Sequence, residues 1–385
     1  MMRLVYITNQ ICGPGGLERV LSVKTAYLIN TYGYEIHIIT LNQKTKTTFY
    51  DFHPEIKYHN IEAKGNSLQY AKSYISGLRE YVKAIKPSFI SVCDDGLKGF
   101  FVPIFLKKPC PMIYERHVSK NIENKSQSKS FLKKLQLNAK FRMMNFGARF
   151  YDSFVVLTDG NKKEWPTKNM VVIPNPLPFY PETASEVTSK KIISVGKLAP
   201  QKGYDLLIEA WAKIAPMFPE WKVSIFGKGN EETKLKTLIK EYSLENSFSI
   251  YPPTQEIQEK YLGASLYVMS SRFEGFGMVL IEAMACGLPC VSFDCPFGPS
   301  DIISHNDDGL IAKNGNVDDL AEKMTFLIEN SEQRKKMGTK AKENVRKYLP
   351  ENIVRQWHEL FNSLTKEANL QRVNFSNLEK ANNNQ

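Results

Sequence analysis

The stretch PNPLPFYPETASEVTSKK, residues 174–191, holds four prolines and no sustained apolar period, and it cuts the chain into two halves built on one pattern. Proline lacks a backbone donor and fixes φ, so such a stretch joins elements rather than belonging to a helix or an inner strand. Before it, short β-branched runs at Leu4–Thr8, Ile36–Thr40, Phe89–Cys93, Met112–Glu115, Phe154–Thr158 and Val171–Ile173 alternate with helical stretches such as Leu17–Thr31 and Leu68–Ile85. After it, strands are expected at Ile192–Val195, Val223–Phe226, Phe248–Tyr251, Leu266–Met269 and Cys290–Phe293. Helices at Tyr204–Ala215, Glu231–Tyr242, Gln255–Leu262 and Val317–Glu329 lie between and after them. This alternation favours parallel sheets covered by helices on both faces. The expected fold class is therefore α/β, with two doubly wound parallel-sheet domains facing across a cleft. Ligands in such sheets bind at the carboxyl ends of the strands.

A chain of 385 residues, 42% hydrophobic and 24% charged, is long enough for two separate cores. The expected boundaries are 1–176 for the first domain, 177–190 for the linker and 191–350 for the second domain. A helix over 351–367, with Trp357, Leu360 and Phe361 on one side, crosses back to the first domain, and 368–385 is a polar tail. No apolar run is long enough to span a bilayer; the longest, Gly99–Leu106, is broken by Pro103. The N-terminus reads as a strand entering a glycine loop, without a small-residue cleavage site. Cys12, Cys93, Cys110, Cys286, Cys290 and Cys295 form no CxxC pair and have no histidine at zinc spacing, so they read as reduced thiols of a cytoplasmic protein.

The net charge of +11 calls for an acidic partner. Part of the excess is concentrated in KSQSKSFLKKLQLNAKFRMMNFGAR, residues 125–149, with seven Lys/Arg and no acid. Phe131, Leu135 and Phe141 or Met144 recur there at helical spacing. A basic amphipathic helix over 125–150 is expected, lying on an anionic membrane surface or packed by one face on its own domain.

The segment SSRFEGFGMVLIEAMACGLPCVSFD, residues 270–294, carries the strongest chemical signal. A strand, a glycine loop and a helix beginning at Met278 place an open helix start after Gly275 and Gly277, and such a start binds anions. Glu274 precedes it and Glu282 lies in its second turn, surrounded by apolar residues. A carboxylate there is costly to desolvate without donors. Paired hydroxyls meet that need: a ribose diol for Glu282 and a sugar ring for Glu274. A glutamate paired with a lysine or capping its own loop is the alternative for either one alone. In VGKLAPQKG, 195–203, Lys197 and Lys202 follow the first strand of the second domain and suit a diphosphate as point charges. In TNQICGPGGLERV, 8–20, Gly15 and Gly16 open a helix on the other wall of the cleft, although the run is neither GxGxxG nor a P-loop and contains Pro14.

Glu274 and Glu282 with "EGFG" and "EAMACGLP", together with "VGKLAPQKG" and "GGLER", resemble the retaining nucleotide-sugar glycosyltransferases of family 4, which have the GT-B fold; the likeness runs from about residue 3 to about residue 365. The resemblance implies transfer of a hexose or N-acetylhexosamine from a nucleoside-diphosphate sugar, with retention and without a metal or other cofactor. It implies that Glu282 accepts from the ribose hydroxyls and Glu274 holds donor-sugar hydroxyls. The amides of Phe276 and Gly277 would meet the sugar, those of Met278 and Val279 the phosphates, and Lys197 and Lys202 the leaving diphosphate. The family commonly has arginine at the first basic position, and lysine keeps the charge without the bidentate geometry.

In MIYERHVSK, 112–120, the resemblance assigns His117 to the donor sugar, the alternative being a loop histidine bonded to a neighbouring carbonyl. Asp301 stands where many members have a glutamate, and a helix-capping role is expected for it. By analogy the donor is a UDP-sugar. The acceptor would be a free or polyprenyl-diphosphate-linked glycan in capsule or O-antigen assembly, at the inner face of the plasma membrane. A UDP-sugar epimerase or hydrolase on the same scaffold, and a basic nucleic-acid-binding protein, are the alternatives from other classes; nucleic acid is not the expected partner, because the basic run is one helix rather than a sheet or groove and the glutamate pair would go unexplained.

Overall fold

The computed structural model describes residues 1–45, 47–120 and 131–382, with only the helix backbone at 131 and over 368–382. Seven strands form the first sheet: β1 (Arg3–Ile7), β2 (Glu35–Leu41), β3 (Lys57–Ile61), β4 (Phe89–Val92), β5 (Met112–Glu115), β6 (Ser153–Val156) and β7 (Met170–Val172). They are all parallel, in the order 3-2-1-4-5-6-7. Helices α1 (Gly16–Tyr32), α2 (Ser67–Ile85), α3 (Val102–Leu106), α4 (Phe131–Ala148) and α5 (Asp159–Lys162) belong to this half.

The second sheet holds β8 (Lys191–Val195), β9 (Lys222–Phe226), β10 (Phe248–Tyr251), β11 (Leu266–Met269), β12 (Cys290–Phe293) and β13 (Gly309–Ala312), parallel in the order 10-9-8-11-12-13. Its helices are α6 (Tyr204–Ile214), α7 (Glu232–Glu241), α8 (Ile257–Leu262), α9 (Met278–Ala285), α10 (Pro299–Ile302), α11 (Val317–Glu329) and α12 (Ser331–Asn344). The last helix is α13 (Pro350–Asn382). This is the GT-B arrangement of two Rossmann-like domains. In each sheet the strand order reverses once, between β1 and β4 and between β8 and β11. The loops after β1, β8 and β11 therefore open at switch points, where parallel sheets leave a crevice.

The proline-rich segment is fastened to the second half rather than strung freely between the two. Leu177 N donates to the Tyr348 carbonyl at 2.7 Å, Ser185 N to that of Cys286 at 2.8 Å, and the Arg334 guanidinium to that of Val187 at 3.0 Å. Helix α13 then returns to the first sheet. Trp357, Phe361 and Leu364 are buried, Phe361 lies against Phe89 and Tyr34, and Tyr32 stacks on His358 at 3.9 Å. It runs on to Asn382, into the stretch expected as a polar tail, prolonging a helix that packing has already started.

Residues 125–130 of the expected basic helix lie outside the described residues, and α4 begins at Phe131. The expected apolar stripe is split. Met144 is buried and Phe141 half-buried against the first core, whereas Leu135 points outward with Leu132, Met143 and Phe146. Exposed Lys133, Lys134, Arg142 and Arg149 are interspersed with them. Among the described residues, no helix is long and apolar enough to cross a membrane.

Candidate active site

A cavity of about 900 Å³ lies between the two sheets, walled by loops that leave the carboxyl ends of β1, β5, β8, β9, β10 and β11. Every residue assigned from sequence lines it: Gly15, Gly16, His117, Lys197, Lys202, Glu274, Gly275, Phe276, Gly277, Met278, Val279 and Glu282.

Gly277 caps α9 with φ +102°, a left-handed conformation that glycine adopts without strain, and this turn sets the helix start toward the cavity. Gly275 answers a different need. A Cβ there would stand 2.4 Å from the His117 carbonyl oxygen and 2.9 Å from Val118 Cα, so the absence of a side chain lets the second domain's loop touch the first. The Phe276 ring turns away, edge-on to Tyr348 in the core, leaving only its backbone for the cavity. The two helix starts differ. At α1 the Glu18 carboxylate folds back over Gly13 and Gly15, so that start already has an acidic group of its own. Pro14 takes part through its carbonyl, which accepts from Tyr50 Oη at 3.2 Å.

Glu282 is buried and its donors come from elsewhere in the fold. Tyr261 Oη donates to its Oε2 at 3.2 Å, and Arg19 Nε of α1 stands 3.7 Å from its Oε1. Burial pushes its carboxyl up from the ordinary value, and Arg19 and the Tyr261 hydroxyl pull it partly back. Glu274 is also buried. Its Oε1 accepts from both Lys202 Nζ and Ser271 Oγ at 2.6 Å. The two lysines are therefore not equivalent: Lys202 is paired with Glu274 beside the cavity, while Lys197 stands exposed at the rim. Asp301 accepts from Gly298 N at 3.1 Å, at the start of α10.

His117 faces this group across the cleft. Its Nε2 lies 3.2 Å from Glu115 Oε2, and its buried Nδ1 has no hydrogen-bond partner among the described residues. Glu115 also receives Lys24 Nζ and Ser91 Oγ, each at 2.5 Å. Burial pushes the Glu115 carboxyl up, but attraction to Lys24 and the bond from His117 outweigh it and hold the group at about 2. Ligand atoms of Cys93, Glu115 and His117 fall within 4.8 Å of one another. They do not suit a cation: Lys24 already occupies the carboxylate, and burial pushes the Cys93 thiol well up, keeping it protonated.

Sequence reasoning missed Arg19, Tyr261, Glu18, Lys24 and Glu115. Arg19 and Glu18 sat inside the quoted "GGLER", where an arginine and an acid beside a glycine loop were the available signal. Tyr261 carried none, because only the packing of α8 on β11 brings its phenol to α9.

Residues 180–344 match the family described as glycosyl transferases group 1. An uncharacterized glycosyltransferase of Haemophilus influenzae is 28% identical over 365 residues, covering 93% of this chain and 99% of that protein. The amylovoran biosynthesis glycosyltransferase AmsD of Erwinia amylovora is 28% identical over 376 residues, covering 94% of this chain and 100% of that protein. Among solved structures, Anabaena HepE in complex with UDP and glucose superposes with a TM-score of 0.76 at 18% identity, over 94% of this chain and 100% of that one.

Proposed function

We propose that this chain, whose two sheets have the GT-B arrangement and whose residues 180–344 match the glycosyl transferases group 1 family, transfers a hexose or N-acetylhexosamine from a UDP-sugar to a glycan, with retention and without a metal ion. One observation carries this reading: Glu274 and Glu282 flank the open start of α9 inside one cavity, with His117 on its opposite wall. Glu282 takes the ribose diol, whose hydroxyls replace the long contact to Arg19. Glu274 takes donor-sugar hydroxyls. The amides at Phe276–Gly277 meet the sugar, and those at Met278–Val279 meet the phosphates.

As the bond from the sugar's anomeric carbon to the diphosphate oxygen breaks, negative charge grows on that oxygen. Lys197, Lys202 and the α9 amides stabilise the charge where it develops. The acceptor hydroxyl attacks from the same face. Its oxygen forms the new glycosidic bond, and its proton passes to the departing diphosphate.

The acceptor in this reading is a polyprenyl-diphosphate-linked glycan of cell-surface polysaccharide assembly, such as capsule or O-antigen, met at the cytoplasmic face of the plasma membrane. The Erwinia relative's name supports polysaccharide assembly, and the UDP and glucose bound by the Anabaena neighbour support the donor part of the reading. The outward Leu132, Leu135 and Phe146 among the lysines of α4, a composition that partitions to anionic lipid surfaces, support the membrane part.

A panel of nucleotide sugars scored by thermal shift tests the donor site, since a ligand of the folded state raises the melting temperature with its affinity. UDP and one UDP-sugar should raise it; no response to any nucleoside diphosphate would end the reading. Glu282→Ala should weaken every nucleoside diphosphate. Glu274→Ala should cut transfer about a hundredfold, the scale of a lost transition-state contact, and leave UDP affinity nearly intact. Turnover without acceptor would identify an epimerase or hydrolase instead.

A further inference from the structure

A buried lysine is the least expected residue in the first domain. Lys24 sits in the middle of α1 with no solvent exposure, its ammonium 4.0 Å from the centre of the Trp357 ring of α13 and 4.9 Å from that of Tyr6. Taking a lysine and a glutamate out of water together gains little over an apolar pair of the same volume. Apolar side chains would fill the space between α1, α13 and the sheet equally well.

The pair acquires a purpose from its third member. Glu115 ends β5, and His117, two residues on, swings back to the same carboxylate and also lines the cavity. An ionised carboxylate only accepts, so Nε2 of His117 must carry a proton to bond it. The other ring nitrogen, Nδ1, is then an acceptor when the ring is neutral, and it is the buried nitrogen without a partner. Lys24 Nζ holds that carboxylate at 2.5 Å from the other side, which fixes where the acceptor for the imidazole stands.

We infer that Lys24 and Glu115 are positioning residues that lock His117 as the Nε2–H tautomer, so that Nδ1 accepts a hydrogen bond from a sugar hydroxyl in the cleft. The inference deepens the proposed transfer reaction and rests on it for the identity of that hydroxyl. Lys24 and Glu115 touch no substrate. Their effect passes through the ring, whose orientation would otherwise be free to flip between two tautomers and two rotamers. Because Lys24 is held under Trp357, the return of α13 to the first sheet is part of the same chain of contacts.

The test replaces the pair by Lys24→Met with Glu115→Gln, which removes both charges together and avoids leaving one buried alone. Nitrogen-15 spectra of histidine-labelled full-length protein, with His117 assigned by His117→Asn, should show a single Nε2–H form in the wild type. In the double variant they should show averaged tautomers. The kcat for transfer should fall roughly tenfold, the scale of one misaligned hydrogen bond, while the melting-temperature rise caused by UDP, which binds the other domain, stays unchanged. A His117 spectrum that is the same in both proteins overturns the inference whether or not transfer is detected, and so does an unaltered kcat. Absence of transfer in the wild type would instead strike the proposed reaction and leave the spectral comparison decisive for the tautomer.

Discussion

Glu282 can grip a diol only while it is ionised, and its surroundings work against that. Burial pushes the carboxyl up, and Arg19 is the charge that resists. As pH falls through the raised value the acceptor becomes a half-donor and nucleotide binding weakens. Arg19→Ala removes the counterweight, so the acid limb of UDP binding should move to higher pH, with affinity near pH 8 reduced only a few-fold. Calorimetric titration of UDP across pH checks this; an acid limb at the same pH in both proteins would show that Arg19 does not tune the site. The sign reverses for Glu115, whose carboxyl is held at about 2 against an ordinary 4.5. The folded state binds that proton less tightly than the unfolded chain. Its stabilisation is complete above the ordinary value and is lost as pH falls from about 4.5 toward 2. The melting temperature of Lys24→Met/Glu115→Gln should therefore fall less steeply over that window than the wild type's. These two glutamates also show what a sequence discloses. The position of Glu282 was legible because its oddity is local, one acid in an apolar helix after a glycine loop. Its partners were not, since Tyr261 and Arg19 reach it only after two sheets have formed and closed.

Elements were legible in proportion to how much apolar surface they bury. Every inner strand announces itself by a β-branched run. β3, KYHNI, does not, because it lies at an edge and leaves Lys57, Tyr58 and Asn60 exposed, and β13, GLIA, although largely buried, is four residues long with one β-branched residue. Helix α12, SEQRKKMGTKAKEN, is hidden by its composition: it buries Arg334, Met337, Gly338 and Ala341 and is otherwise polar or charged, so no apolar stripe marks it. The glycine loop between β11 and α9 was legible as a motif, but its second duty, touching the first domain, was not. Gly275→Ala would drive a Cβ to 2.4 Å from a backbone oxygen that cannot rotate away. Transfer should fall at least a hundredfold, with a far-UV spectrum like the wild type's, because the clash lies between domains. Gly263→Ala, whose Cβ would meet nothing nearer than 3.4 Å, is the control and should leave both unchanged. On α4, Leu135→Ser with Phe146→Ser should reduce flotation with anionic liposomes and spare turnover of a soluble acceptor; unaltered flotation would remove the membrane from the proposal.

At the scale of the molecule, two sheets that each close their own core are nonetheless joined by one continuous hydrophobic cluster. It runs from Tyr34 and Phe89 of the first sheet through Trp357 and Phe361 of α13 to Ala341, Met284 and Tyr261 of the second half. The pinned linker and the returning helix are the two covalent crossings of the cleft, and α13 is the one that carries buried aromatic area. Domains coupled in this way melt together, whereas domains joined by a loose tether melt apart. Phe361→Ala should cost about 3–5 kcal/mol, the usual penalty for emptying a buried aromatic site. Most of that loss falls on the contact between α13 and the first sheet, not on the second core. Scanning calorimetry should therefore change from one transition in the wild type to two in the variant, and UDP should raise the transition of the nucleotide-binding half alone. A single transition merely shifted downward would mean that the halves are coupled mainly through the cleft loops at Gly275 and His117, and the hold of α13 would then be local to the first domain.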